Sequence, residues 1–598
     1  MVLCIAEKPS VAREIARILG ATAKRDGFIE GNGYAVTWVY GHLCELKEPE
    51  DYRPEWKKWD EWDLPIFPER FGIKLKQDGG VSRQFQVIAD LLQKADTVIN
   101  CGDAGQEGEL IQQWVLQKAE CKLPIKRLWV SSLTDEALKE GFQKLRDNSE
   151  LQTLYYAGLA RAIGDWLLGI NATRLYSRRY SQPGKPLSVG RVQTPTLALI
   201  VERQREIEHF KPVTTYALQT RYRDTLFRQK KEPFSTEEEA QRKCDEIKNE
   251  PLEILKITKK KGQELPPKLF DLTALQVEAN KKYKLSAEET LQAIQSLYEQ
   301  KLTSYPRVDT TYLSDDMWPK IPQILAKLSS QSPYTSLIAP LQKEKALKKT
   351  KKIFDNSKIT DHHAIIPTGV APSLPLSGHM AQVYDLVMRR FIAVFYPSCT
   401  TSSTVVEAAV ADFPFRATGK EIIQPGWRIV YQEVDEDTNK DDDDKNKLLP
   451  TFVEGEQGAH LLQVKQKVSE PPKYYTEATL LRAMETAGKL VEDESLREAL
   501  KQNGIGRPST RASIIETLFK RGYIVRERNS LRATSLGYFL IDTIQEPLLK
   551  SVEMTGLWEN KLRLIEKGEY EAAAFIEELK EQIRSLVRNE KLRNYAHT

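Results

Sequence analysis

The sequence predicts a multidomain protein that opens with an α/β domain and continues as α+β. Two strand–loop–helix units fall within the first 150 residues. Beyond them the hydrophobic pattern runs helical, alternating, helical, alternating and helical again. A chain of 598 residues has room for roughly four domains.

The first unit is the apolar strand "VLCIA" (2–6), a polar loop and the helix "SVAREIARILG" (10–20). The second is "TVINCG" (97–102), an acidic glycine loop and "ELIQQWVLQKA" (109–119). Paired units of this kind imply a largely parallel sheet, whose ligands sit beyond the carboxyl ends of the strands. Glu7 falls there in the first unit, Asp103 and Glu107 in the second. Residues 151–210 carry apolar side chains at three-to-four spacing and read as helices, and 211–260 alternate and read as strands. Helices return at 270–302, where Ser286 and Glu289 form a capping box and Leu291, Ile294, Leu297 and Tyr298 line one face. Residues 400–467 read as β-rich, and the remainder as mainly helical. No short-period repeat is visible.

Hydrophobic residues at 40% and charged residues at 29% describe a globular chain rather than a disordered one. No run of about 18 apolar residues exists, so no membrane span is expected. "MVLCIAEKPS" has neither a basic n-region nor a long apolar core, so a cytoplasmic location is expected. The six cysteines form no C-x-x-C pair, which argues against zinc ribbons and a disulfide framework. A net charge of +4 says little about partners. The basic stretches "KITKKKG" (256–262), "KEKALKKTKK" (343–352) and "KLRNYAHT" (591–598), and the acidic "DEDTNKDDDDKNK" (435–447), each read as solvated loops.

Six stretches carry chemistry. In "CGDAGQEGEL" (101–110) the carboxylates Asp103, Glu107 and Glu109 crowd among three glycines, a pattern suited to a cation. In "TSYPRVDTTYL" (303–313), Pro306 pushes Tyr305 into an extended conformation and Arg307 follows at once. A tyrosine of pKa about 10 is a poor nucleophile at neutral pH. A nearby guanidinium favours the phenolate and holds a phosphate oxygen. Tyr-x-Arg therefore suits attack on a phosphodiester, although most such triplets are structural. Lys8, beside Glu7 in "AEKPS", can stabilise a phosphate or protonate a leaving oxygen, or simply form a surface ion pair. "TDHHAIIPT" (360–368) is a poor metal site, and His362 is either a hydrogen-bond partner or a backbone-phosphate contact. The turns at 188–200 (Ser188, Arg191, Gln193) and 503–524 (Arg507, Ser509, Thr510) set arginine beside backbone amides at helix N-termini, which suits phosphate as well as simple capping.

Ten segments in order resemble the topoisomerase III branch of the type IA DNA topoisomerases: "IAEKPSVAREIA", "GDAGQEGELI", "ARAIGDWLLGINATR", "SVGRVQTPTLALI", "LPPKLFDLTALQ", "KLTSYPRVDTTYL", "DHHAIIPT", "PPKYYTEATLLRAME", "NGIGRPSTRASIIETL" and "EMTGLWENKL". The resemblance implies a torus. An N-terminal Toprim domain (1–150) would join a helical DNA-binding domain in two pieces (151–212 and 468–598). A β-rich arch (213–268 and 400–467) and a domain carrying the tyrosine (269–399) would close the ring. It implies that Tyr305 attacks single-stranded DNA, giving a 5′-phosphotyrosine, strand passage and religation without ATP. No P-loop pattern occurs, in agreement. Relaxation of negative supercoils and decatenation would follow, in the cytoplasm at the nucleoid, by a monomer with single-stranded DNA and a helicase as partners.

By matching position, Arg307 would polarise the phosphate, Lys8 stabilise the transition state, and Glu7 protonate the leaving 3′-oxygen. His362 would bind backbone phosphate. Arg174, Ser188, Arg191, Gln193, Arg507, Ser509 and Thr510 would line the single-strand groove. Glu7, Asp103 and Glu107 would hold Mg²⁺, with no zinc. The family's D-x-D-x-E-G-E departs here at Gly105, and its usual arginine is Gln106. That implies a weaker Mg²⁺ site, strengthened by Gly105→Asp. With no cysteine after Cys399, strand recruitment would rest on the ring itself. A Toprim nuclease or primase would not need Tyr305 and Arg307, and a non-catalytic single-strand-binding protein would not keep Tyr305, Arg307, Lys8 and Glu7 together.

Overall fold

The computed structural model describes residues 1–598 except 131, 132, 134, 182–185, 344–346, 360, 361, 432–448, 491–493, 495, 496, 498–503 and 594–598. The N-terminal sheet has seven strands: β1 (Val2–Ala6), β2 (Ala23–Arg25), β3 (Phe28–Gly31), β4 (Tyr34–Trp38), β7 (Thr97–Cys101), β8 (Ile125–Arg127) and β9 (Arg146–Asp147). The remaining pair, β5 (Cys44–Leu46) and β6 (Ile73–Leu75), forms a separate ribbon. Strand order is β2-β3-β4-β1-β7-β8-β9. Only the centre, β4-β1-β7-β8, is parallel, and both edges are antiparallel. The expected parallel sheet is thus mixed: the hairpins β2-β3-β4 at one edge need no crossover, and at the other β9 returns antiparallel to β8 after helix Asp135–Gln143.

Register aligns Trp38, Ala6 and Cys101 across β4, β1 and β7. Three loops therefore leave the sheet side by side at its carboxyl edge. β1 reads as continuous apolar sequence because both faces of the sheet are covered. The helix after β7 begins at Gln106, three residues earlier than expected, so Glu107 sits in its first turn.

Helix Gln152–Tyr180 packs against Val552–Glu566 and Ala572–Arg593, so two distant stretches of sequence make one helical body. Arg161 clamps Glu559 in a two-toothed ion pair of 2.6 and 2.9 Å across that seam. A second sheet draws β10 (Thr214–Tyr222), β11 (Thr225–Gln229) and β12 (Leu252–Glu264) from one stretch, and β13 (Cys399–Val410), β14 (Phe413–Gln424), β15 (Gln457–Gly458) and β16 (Leu461–Val468) from another. Its order is β15-β12-β13-β14-β11-β10-β16. Between these stretches lie the helices Leu272–Tyr283, Ala287–Glu299 and Gly378–Val394. The Ser286–Glu289 capping box forms as expected, at 3.0 and 2.7 Å.

Three local readings differ. Helix Glu237–Ile247 interrupts the expected strands, burying Ala240, Cys244 and Ile247 along one face. A hairpin, Ile524–Glu527 with Ser530–Ala533, interrupts the expected C-terminal helices. The basic run 256–262 is strand rather than loop: it lies in β12, paired with β13. The acidic run 435–447 lies outside the described residues.

Candidate active site

The three parallel strand ends carry Tyr40 and His42 after β4, Glu7 and Lys8 after β1, and Asp103 after β7. Main-chain bonds tie these loops together. Val39 N–H donates to the Ala6 carbonyl (2.9 Å) and Gly41 N–H to the Glu7 carbonyl (3.3 Å). The Glu7 carboxylate accepts from the Asp103 N–H at 3.0 Å.

The acidic loop is held from behind by Arg127, which is fully buried with Glu109. Its guanidinium donates to the carbonyls of Gly102 (2.6 Å), Asp103 (2.7 Å) and Leu128 (2.8 Å), and to Glu109 (3.1 Å). Glu109, grouped in the sequence with the other acids, thus anchors the loop. Gly108 lets helix and loop approach, since a Cβ there would stand 2.1 Å from the Asp103 carbonyl oxygen. Gly105 adopts φ 151°, ψ 171°, a conformation essentially restricted to glycine. The loop is therefore shaped around Gly105, and an aspartate at that place would strain it.

Tyr305 comes from 202 residues away and donates its hydroxyl to Asp103 Oδ2 at 3.1 Å. Tyr298 packs edge-on against its ring and His362 lies 4.3 Å from it. The tyrosine is 7% exposed, in a gap of only about 10 Å³ shared with Asp103, Tyr298 and His362. Burial, Asp103 and Glu7 push its pKa far above the usual value, so the phenol is protonated. Burial, then Asp103, likewise pushes the Glu7 carboxyl up to about 8. Burial also raises Asp103, against the pull of Lys8 and Arg307. Glu107 is turned to His42 (3.7 Å), whose hydrogen bond holds its carboxyl below the usual range. Among the described residues no three His, Cys, Asp or Glu side chains stand together as metal ligands, so Glu107 is not gathered with Glu7 and Asp103 in this closed arrangement.

Lys8 reaches Glu299 at 3.4 Å, and Arg307 Nε is buried without a hydrogen-bond partner among the described residues. Both line a cavity of about 590 Å³ with Glu7, Tyr40, His42 and Glu107. His362 Nε2 hydrogen-bonds the Ala104 carbonyl at 2.9 Å, and burial lowers its pKa to about 3, so the ring is neutral. In this state it supports the acidic loop and faces no open phosphate site.

A second cavity of about 680 Å³ is lined by Arg174, Ser188, Arg191, Gln193, Arg507 and Thr510, but not by Ser509. Arg191 is spent on Asp165 and Glu559, at 3.0 Å each, and Arg174 on the Trp56 carbonyl. These two buried arginines shape the wall, whereas Gln193 accepts from Arg521 at 2.6 Å at its edge. Glu107 lines the smaller cavity, and its carboxylate feels both Arg307 there and Arg507 of the larger one. Sequence reasoning missed His42, Arg127, Tyr298 and Glu299. Only His42 left a signal, as a polar residue just beyond a parallel strand.

A Toprim domain model matches residues 2–133, and a DNA topoisomerase model matches 149–577. Proteins named DNA topoisomerase 3 from Bacillus thuringiensis (strain Al Hakam) and Shouchella clausii (strain KSM-K16) are each 38% identical to the chain. The alignments cover 98% of this chain in both cases, and 81% and 80% of those proteins. The fold matches full-length topoisomerase I from Thermotoga maritima with a TM-score of 0.72 at 24% identity, over 98% of this chain and 90% of that one. The chain belongs to the type IA DNA topoisomerases, on the topoisomerase III branch.

Proposed function

We propose that the protein cleaves single-stranded DNA through Tyr305, passes a second strand or duplex through the break, and religates it. Negative supercoils would be relaxed and catenanes resolved without ATP. The observation that carries this reading is the hydrogen bond from Tyr305 to Asp103, which delivers a phenol to an acidic loop flanked by Lys8 and Arg307. The domain division given by the resemblance (1–150; 151–212 with 468–598; 213–268 with 400–467; 269–399) goes with it, as does a monomer acting in the cytoplasm. Among the described residues no helix is long and apolar enough to cross a membrane.

In the reaction, Tyr305 Oη passes its proton to Asp103 Oδ2, the acceptor of its hydrogen bond, as it bonds to phosphorus, and the bond from phosphorus to the 3′-oxygen breaks. Glu7, protonated to about pH 8, supplies the proton that the leaving oxygen takes up. Arg307, with an unused Nε, and Lys8 face the charge that builds on the phosphate. The 680 Å³ cavity takes the strand on one side of the break, with Arg507, Thr510 and Ser188 as polar contacts.

Glu7 and Asp103 are two buried oxygen-donor groups whose charges repel, a donor set that fits a hard cation. They would hold Mg²⁺, with Glu107 joining once released from His42. The ion would supply positive charge that orders the strand ends for religation.

The test is an end-labelled single-stranded oligonucleotide mixed with the protein and denatured with detergent. A covalent adduct that disappears in Tyr305→Phe is expected. Free cleavage without an adduct would indicate a nuclease, and neither product a binding protein.

A further inference from the structure

Tyr40 has no task in the chemistry above, yet it stands within it. It lies two residues beyond β4, next to Glu7 beyond β1, in a loop pinned by the Val39 and Gly41 amides. Its ring is 54% exposed on the wall of the 590 Å³ cavity that holds Lys8 and Arg307. Neither its ring nor its hydroxyl has a partner among the described residues. Arg13, on the same wall, is also exposed and has no ion-pair partner among the described residues. An unpartnered aromatic ring and an unpartnered guanidinium, set beside a phosphate-handling centre, are the parts of a single-strand binding platform.

The cavity also lies in the right place. Glu107 on its wall feels the charge of Arg307 in the same cavity and of Arg507, which lines the 680 Å³ groove. A strand lying in the groove and crossing Arg307 must continue into the smaller cavity. We infer that this cavity receives the nucleotide on the far side of the scissile phosphate, its base stacked on Tyr40 and its phosphate at Arg13. This rests on the proposed cleavage of single-stranded DNA and adds to it a residue that holds the base beside the break. Stacking accepts any base but loses its grip where the base is missing.

The test moves a single abasic residue along a labelled oligonucleotide that spans a cleavage site. Adduct formation is measured for the wild type, Tyr40→Ala and Tyr40→Phe. Binding is measured by anisotropy with each change in a Tyr305→Phe background, where no cleavage intervenes. An abasic residue at one of the first two positions past the break should weaken binding and adduct formation by about tenfold in the wild type and in Tyr40→Phe. Tyr40→Ala should bind the intact strand as weakly as the wild type binds that abasic one, and should be indifferent to the lesion. The same abasic profile in Tyr40→Ala and wild type overturns the stacking role. Arg13→Gln should reduce the slope of log affinity against log salt by about 0.7, and an unchanged slope overturns the phosphate contact. A wild type that forms no Tyr305-dependent adduct refutes the cleavage reading instead, and the binding arm still decides Tyr40.

Discussion

At Glu7, burial and the neighbouring Asp103 keep the carboxyl protonated to about pH 8, against a usual value of 4.5. Between those values the folded chain holds a proton that the unfolded chain has released, so stability contributed by this group falls as pH rises across that window. Each pH unit of that displacement corresponds to about 1.4 kcal/mol. Glu7→Gln, measured in EDTA, should raise the apparent Tm at pH 8 and do so much less at pH 5. An equal gain at both would show that the carboxyl is not held protonated. Gly105 gives a second residue-scale outcome. Strain of about 1–3 kcal/mol is expected for a side chain in its backbone conformation. Gly105→Asp should therefore lower the Tm in EDTA, while added Mg²⁺ raises it more than in the wild type. If Mg²⁺ shifts both proteins equally, the added carboxylate is not a ligand.

At the scale of elements, the acidic loop is positioned by groups that never face the cavity. Arg127 grips its carbonyls, and Gly108 lets helix Gln106–Lys118 close against it. Gly108→Ala must displace the Asp103 carbonyl, so a loss of about 1–3 kcal/mol is expected with a larger loss of cleavage. Unfolding melts and oligonucleotide cleavage assays would check both. The elements themselves were legible where the pattern was strong. β1 and β7 match their apolar runs, and the capping box placed the start of helix Ala287–Glu299 within a residue. Helix Glu237–Ile247 was not legible, because its buried face is only three small or medium side chains among charges. Hairpin Ile524–Glu527 with Ser530–Ala533 was missed for a related reason: strands of four residues show little alternation.

Across the whole molecule, the tyrosine-bearing segment touches the N-terminal domain through few polar contacts among the described residues. These are Tyr305 to Asp103, His362 to Ala104, Lys8 to Glu299 and Lys301 to Glu14. Its hold on the helical body adds apolar packing of helix Leu272–Tyr283 against Glu477–Glu485 to the bond from Arg511 to Thr273 (2.6 Å). The gap around Tyr305 admits no DNA, so on the proposed cleavage the first interface is the one that would have to part. Partly exposed ion pairs are worth about 0.2–1 kcal/mol. Glu14→Gln with Glu299→Gln should raise the open population several-fold, read by fluorescence transfer between labels across the gate, and an unchanged population would place the opening elsewhere.

The linear sequence by itself determined the residue chemistry and the alternation of helical and β-rich stretches. Tyr305, Arg307, Lys8 and the acidic loop were nameable because strand ends, prolines and glycines leave local marks. Tertiary structure decided which of those groups meet. Only the order β4-β1-β7 sets His42 and Tyr40 beside Glu7 and turns Glu107 to His42, and only the packing of the tyrosine-bearing segment gives Asp103 to Tyr305. Burial likewise turned Glu109 into an anchor and Arg191 into a wall. Contacts and desolvation are set by residues hundreds of positions apart, and local sequence carries no record of either.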